Sequence, residues 1–156
     1  LGAGGIMAAP GLLGLSIIRE LSSAPDFHLP IFLHPCFSGP LVLSADSGVS
    51  PFCYYGQFSR LAGADAAIFT SFGGRFPFTE EVCRKICDGT ETEMGGLRSI
   101  FPVPSGGMKW QLFKKMVQVY GPDAIFLVGG ALLTESDDLT ANMHFYFEKL
   151  NEAVNK

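Results

Sequence analysis

Five short apolar runs alternate with five segments that carry helical signals, and this alternation constrains the fold of the 156-residue chain more than any other feature. The apolar runs are residues 5–9, 30–34, 66–71, 100–104 and 125–129. The helical segments that follow them are residues 12–21, 50–61, 79–87, 110–120 and 140–154. A strict strand-then-helix order implies a parallel sheet with right-handed crossover connections. We therefore expect an α/β fold.

Capping residues delimit several of the helical segments. Ser50 precedes Pro51, which is the pattern of an N-cap followed by proline at the first helical position. Thr79 precedes two glutamates, an N-cap with acidic residues in the first turn. Gly121 and Pro122 stop the fourth helical segment. These signals predict where the helices begin and end.

The alternation fits either a doubly wound sheet or part of a (β/α)8 barrel. A dinucleotide-binding sheet needs Gly-x-Gly-x-x-Gly after its first strand and an acid at the end of its second. The glycines of LGAGG lie before or within the first run, and the second run ends in His34-Pro35, so that fingerprint is absent. A complete barrel needs about 250 residues and eight units. Five units are present, so we expect barrel strands 4–8, in a fragment whose N-terminal part is missing.

Composition and charge exclude several functions. The 11 basic and 15 acidic residues give a net charge of −4 without a basic stripe, so nucleic-acid binding has no electrostatic support. No segment has the roughly 18 uninterrupted apolar residues of a membrane span. The apolar opening segment has no preceding basic residues and contains glycine breaks, so no secretory leader is expected. The four cysteines lack zinc-site spacing. We expect an intracellular protein with reduced thiols.

Two glycine pairs close consecutive apolar runs. Gly106 and Gly107 follow Ser105 after the fourth run, and Gly129 and Gly130 end the fifth. Glycine leaves backbone N–H groups unscreened by a Cβ, so a phosphate can bind against successive loops and a helix N-terminus. In (β/α)8 barrels the loops after strands seven and eight are a recurrent phosphate site. The pairs indicate a phosphate site, with ordinary turn glycines as the alternative.

Three polar side chains at the ends of apolar runs are candidates for chemistry. His34 could hold a substrate oxygen or move a proton, or be a structural histidine bonded to a neighbouring loop. Arg75, in the glycine-containing loop after the third run, could clamp a phosphate or carboxylate, or be a solvated surface residue. Ser105 could donate its hydroxyl to a substrate oxygen, and the sequence PSGG around it is not a nucleophile elbow.

Four segments occur in the order and spacing of one family's barrel strands. They are LPIFLHPCFSG, GADAAIFTSFGGRF, PVPSGGM and YGPDAIFLVGGALL. They resemble, in turn, the fifth strand, the sixth strand with its mobile loop, the seventh strand and the eighth strand of the RuBisCO large-chain superfamily, and within it the RuBisCO-like (form IV) proteins. The resemblance implies that residues 1–156 are the C-terminal part of a RuBisCO-like (β/α)8 barrel domain.

The resemblance also implies roles for individual residues. His34 matches the active-site histidine of the fifth strand, and Ser105 matches the serine that holds a substrate hydroxyl. The glycines whose amides bind one substrate phosphate in the family are matched by Gly107, Gly129 and Gly130, with Gly106 in the same turn.

Two departures distinguish the chain from the carboxylases of the family. Pro35 stands where the carboxylases have an arginine that binds a second phosphate. Arg75 stands where they have a loop lysine that orients carbon dioxide. A planar guanidinium does not replace a small mobile ammonium. The resemblance therefore implies a substrate with one phosphate and no carbon dioxide fixation.

The implied activity is magnesium-assisted enolisation, isomerisation or decarboxylation of a phosphorylated keto-sugar or keto-acid. The family's Mg²⁺ ligands, a lysine and two acids of the second strand, would lie upstream of this sequence, so no metal ligand is expected within it. The resemblance implies a homodimeric full-length protein in the cytoplasm or a plastid, and an inactive fragment. The alternatives are a truncated, catalytically silent half-barrel with an interaction role and a true ribulose-bisphosphate carboxylase.

Overall fold

The computed structural model of the chain describes residues 2–44, 46–74 and 76–155. The chain divides into two compact units. Unit 1 is Leu1–Phe69 with Lys85–Pro102, and unit 2 is Thr70–Arg84 with Val103–Lys156.

Unit 1 is an α/β structure. Its strands and helices are β1 (Ile6–Ala8), α1 (Pro10–Leu13), α2 (Leu15–Ser22), β2 (Ile31–Leu33), α3 (Gly39–Val42), a π-helix (Phe52–Phe58) and α4 (Ser59–Leu61). Three further elements have residues in both units, namely β3 (Ala66–Thr70), α5 (Glu80–Glu91) and β4 (Phe101–Ser105).

The sheet is parallel, as the strand-then-helix order predicts. β1 pairs with β2 in the register Ile6↔Ile31 to Ala8↔Leu33, and β2 pairs with β3 with Leu33 opposite Ala67. The strand order is β1-β2-β3-β4, which is also the order along the chain. Sequential neighbours of this kind place the carboxyl ends of successive strands at one edge.

The core of unit 1 combines strand residues with the inner faces of its helices. One cluster of buried core residues contains Ala8, Ile18, Ile31, Leu33, Ala62 and Ala64. Ile18 of α2 and Ile31 of β2 are each 1% exposed, and burying a side chain of this size stabilises a fold by roughly 2 kcal/mol. The alanines leave room for the helices to lie close to the sheet.

Local sequence signals placed the caps at Ser50 and Thr79 correctly but missed two irregularities. The N–H of Cys53 donates to Ser50 Oγ at 3.3 Å, so the predicted cap is present, yet a π-helix rather than an α-helix follows. The predicted helix over residues 12–21 is two helices, because Gly14 lies between them with φ 79° and ψ 152°. Glycine reaches that backbone conformation without steric cost.

Arg60 of α4 is a buried cation within unit 1. Its side chain is 4% exposed, and its Nε donates to the carbonyl of Arg98 at 3.0 Å. Nη2 donates to the carbonyl of Leu97 at 2.8 Å, and Nη1 to those of Gly89 and Thr92. The guanidinium thus donates hydrogen bonds to four carbonyl groups, which lie at the end of α5 and in the segment that follows it.

Unit 2 is built from helices around an aromatic core. Its own elements are a 3-10 helix (Trp110–Leu112), α6 (Phe113–Tyr120), α7 (Gly130–Leu133) and α8 (Leu139–Val154). The ring of Phe113 lies 5.7 Å from those of both Phe126 and Tyr146, measured between centroids. At the start of α5, the N–H of Val82 donates to Thr79 Oγ1 at 3.2 Å, which is the predicted cap.

The predicted fifth strand, residues 125–129, is not a strand among the described residues. It forms one isolated parallel bridge, Ser105↔Leu127, in which the N–H of Leu127 donates to the carbonyl of Pro104 at 3.1 Å. The next rung in this register would pair Val103 with Ile125 and would need an N–H from residue 104. Proline has no N–H, so the ladder stops after one rung.

The described helices include none with the length and apolar content required to cross a membrane.

Candidate phosphate-binding site

A cavity of about 610 Å³ opens within unit 2. Three chain segments line it: the loop after β3, the turn after β4, and the start of α7. The sequence-predicted residues among its lining are Ser105, Gly106, Gly107, Gly129 and Gly130. Segments that are separate in the chain therefore meet here because they all follow strand-type runs. The described lining residues include one cation, Lys109, and no carboxylate.

The turn after β4 requires its glycines. Gly106 and Gly107 have φ values of 74° and 69°, which L residues with side chains rarely adopt. A Cβ on Gly107 would lie 2.5 Å from the Cα of Gly74, and a Cβ on Gly74 would lie 2.9 Å from the carbonyl oxygen of Gly106. The two loops pack backbone against backbone, and this contact forms one wall of the cavity.

The second glycine pair lines a part of the cavity that has free space beside it. Gly129 is the N-cap of α7, and Gly130 is its first residue. A Cβ at either position would meet nothing within 4 Å. The Gly129 carbonyl accepts from the amides of Leu132 and Leu133 at 2.9 and 3.2 Å. The first amides of a helix have no acceptor within it.

A buried polar cluster anchors the loop that follows β3. The N–H of Ser71 donates to the carbonyl of Ser105 at 2.7 Å, and Ser71 Oγ lies 2.8 Å from the hydroxyl of Tyr120. The thiol of Cys83 donates to the carbonyl of Thr70 at 3.6 Å. Burial raises the pKa of both Cys83 and Tyr120, so both stay protonated at neutral pH. Cys83 is therefore part of the loop's support rather than a nucleophile.

His34 lies in unit 1, directly after β2. Its N–H donates to the carbonyl of Ala8 at 2.8 Å, which fixes the backbone at the carboxyl end of the strand. The N–H of Cys36 donates to His34 Nδ1 at 3.2 Å. Because Nδ1 accepts, the neutral imidazole carries its proton on Nε2. The exposed ring can therefore offer an N–H to a substrate oxygen.

The turn after His34 contains an unusual backbone conformation. Phe37 has a φ of 59° and is 66% exposed, which is uncommon for a bulky residue. A Cβ on Gly11 would lie 2.4 Å from the Cys36 carbonyl oxygen, so α1 approaches this turn backbone to backbone. A residue is held in such a strained backbone conformation only when the packing around it imposes that conformation.

The described residues contain no group of three or more His, Cys, Asp or Glu side chains placed to hold a metal ion. None of the four cysteines forms a disulfide.

Sequence comparison identifies curated relatives, although no protein-family model matches the chain. The 5-methylthioribulose-1-phosphate isomerase of Rhodospirillum rubrum is 37% identical over 138 residues, covering 86% of this chain and 34% of that protein. Ribulose bisphosphate carboxylase-like protein 1 of Rhodopseudomonas palustris is 33% identical over 135 residues, covering 86% and 35%. The 2,3-diketo-5-methylthiopentyl-1-phosphate enolase of Exiguobacterium sibiricum is 33% identical over 141 residues, covering 90% and 35%.

Structure comparison agrees. A RuBisCO-like protein from Alicyclobacillus acidocaldarius superposes with a TM-score of 0.87 at 27% identity, covering 99% of this chain and 41% of that one. The chain is a homologue of the RuBisCO-like proteins. Octameric RuBisCO from Pyrococcus horikoshii superposes with a TM-score of 0.89 over 99% of this chain and 37% of that one, but at 20% identity it shows the fold alone.

The RuBisCO-like chain spans about a third of the length of the curated relatives it matches. The match confirms the resemblance to the C-terminal part of the family and the α/β fold with a parallel sheet.

Sequence reasoning did not identify one cavity-lining residue of this RuBisCO-like chain that could bind a ligand. Lys109 follows the SGGM segment and lines the cavity. A cation two residues beyond Gly107 was a signal that could have identified it. Arg75, which was predicted to act at this edge, lies outside the described residues, while its neighbours Gly74 and Phe76 line the cavity.

Proposed function

We propose that the cavity of unit 2 binds the phosphate of a phosphorylated keto-sugar or keto-acid. The observation that carries the proposal is the convergence of two glycine-bearing turns on one cavity without a described carboxylate. The amides of Gly107, Gly129 and Gly130 would contact the phosphate, and Gly106 would supply the turn. A phosphate held there provides binding energy that positions the reacting carbons elsewhere in the substrate.

The full-length protein is, in this proposal, a RuBisCO-like isomerase or enolase that does not fix carbon dioxide. Its support is that the isomerase and enolase relatives are each named for a substrate with one phosphate. Pro35, in place of a cation for a second phosphate, agrees with such a substrate. His34 Nε2 would hold a substrate oxygen, Ser105 a substrate hydroxyl, and Arg75 a further anionic oxygen.

Residues 1–156 are, in the same proposal, strands four to eight of a (β/α)8 barrel and the C-terminal part of a longer chain. β1 to β4 would be strands four to seven, and the bridged run at residues 125–129 would be strand eight. Bound Mg²⁺ would stabilise an enediolate oxygen, with ligands from outside this sequence. The homodimer remains a prediction of the resemblance.

Proton exchange tests the proposed activity. The full-length protein with Mg²⁺ in D₂O should incorporate deuterium next to the carbonyl of 5-methylthioribulose 1-phosphate, measured by NMR, because enolisation removes a carbon-bound proton. With ribulose bisphosphate and labelled bicarbonate, no acid-stable label should form. Label formation at an ordinary enzymatic rate would identify a carboxylase. The absence of both reactions would contradict the proposed enolisation of this substrate.

Gly130→Val tests the phosphate site separately. A Cβ at position 130 would meet no atom within 4 Å, so valine should leave the fold intact while occupying space in front of the amides of α7. Phosphate binding, measured by calorimetry on the full-length protein, should weaken at least about tenfold, while the melting temperature should shift by less than about 3 °C. Leu133→Val, on the same helix outside the lining, is the matched control. Unchanged affinity in Gly130→Val would exclude the site.

A further inference from the structure

Lys109 is held at the edge of the phosphate cavity by the glycine turn itself. Its N–H donates to the carbonyl of Gly107 at 2.8 Å, and its backbone is extended, with φ −78° and ψ 135°. The residue is exposed and lines the cavity with Ser105, Gly129 and Gly130. Any movement of the turn would therefore move the start of the lysine side chain with it.

The ammonium of Lys109 has no acidic partner among the described residues. Two other lysines of unit 2 form ion pairs: Lys115 Nζ lies 2.5 Å from Glu80 Oε2, and Lys149 Nζ lies 2.9 Å from Glu152 Oε1. In the described lining, Lys109 is the charged residue. The cavity therefore combines backbone amides, which carry only partial charges, with one full positive charge that the described protein groups do not neutralise.

We propose that Lys109 binds the substrate phosphate and makes the cavity select the dianionic form of a phosphate monoester. This inference rests on the proposed phosphate site and adds a specificity residue to it. A monoester phosphate loses its second proton near pH 6, so it is mostly dianionic at pH 7.5 and mostly monoanionic at pH 5. Backbone N–H groups can donate hydrogen bonds to either form, whereas a cation is attracted about twice as strongly by the dianion as by the monoanion.

The test compares inorganic phosphate binding to variants of the full-length protein by calorimetry at low ionic strength. Lys109→Gln should weaken binding about tenfold at pH 7.5 and much less at pH 5, because the lost attraction scales with the phosphate charge. Lys109→Arg should retain most of the affinity. Lys114→Gln removes the same charge from an exposed position of α6 outside the lining, and it should bind like the wild type.

Gly130→Val distinguishes a failure of the proposed phosphate site from a failure of the proposed role of Lys109. If it weakens binding while Lys109→Gln does not, the phosphate site stands and the role of Lys109 is wrong. An equal loss in Lys109→Gln at both pH values would also overturn the selection of the dianion. If neither variant changes the affinity, or if the wild type does not bind phosphate, both the site and the inference fail.

Discussion

Replacing Arg60 with Met is expected to lower the free energy of unfolding by about 3–5 kcal/mol. The guanidinium is 4% exposed and donates to the carbonyls of Gly89, Thr92, Leu97 and Arg98. Methionine keeps much of the side-chain volume but leaves buried carbonyl groups without donors. Urea unfolding, followed by circular dichroism on the full-length protein, measures the change.

Arg98→Met is the matched control, since Arg98 is exposed and contributes its backbone carbonyl rather than its side chain to this cluster. It should change the free energy of unfolding by less than about 0.5 kcal/mol. Arg60→Lys should recover only part of the loss, because one ammonium cannot reach carbonyls that a planar fork contacts in several directions. Equal stability of Arg60→Met and Arg98→Met would contradict the structural role of Arg60.

Gly107→Val is expected to abolish measurable phosphate binding. Its Cβ would lie 2.5 Å from the Cα of Gly74, and neither backbone can yield as a flexible side chain would. The φ of 69° adds a conformational cost of roughly 1–2 kcal/mol for a residue with a side chain. The turn has to open, so its amides would leave the positions at which they contact the phosphate in the proposed site. Calorimetry with inorganic phosphate on the full-length protein measures the loss.

Gly121→Val isolates the steric part of this effect. Gly121 has a similar φ of 78°, but a Cβ there would meet nothing within 4 Å. It should lose about 1–2 kcal/mol of stability and keep its phosphate affinity. Phosphate binding by Gly107→Val at the wild-type level would show that the turn after β4 does not form the site.

The sequence determined the parts of this protein that depend on neighbours in the chain. Ser50 and Thr79 cap helices as predicted, because an N-cap bond spans only three residues. The order of apolar runs and helical segments was enough for a parallel α/β fold. The same order was enough to expect that glycine pairs following consecutive runs would meet at one cavity. The roles of the predicted site residues in binding and catalysis remain predictions.

Tertiary structure decided what depends on distant partners. Arg60 is buried, against the usual exposure of arginine, because its acceptors lie 29 to 38 residues away along the chain. The run at residues 125–129 has strand composition but keeps a single bridge to Ser105, because the next rung would need an N–H from Pro104, which has none. Lys109 lies at the cavity because its N–H donates to the carbonyl of Gly107, and the turn that contains Gly107 packs against Gly74. Hydrophobic pattern and caps are local signals, whereas burial, ladder partners and cavity walls arise only when separate segments pack together.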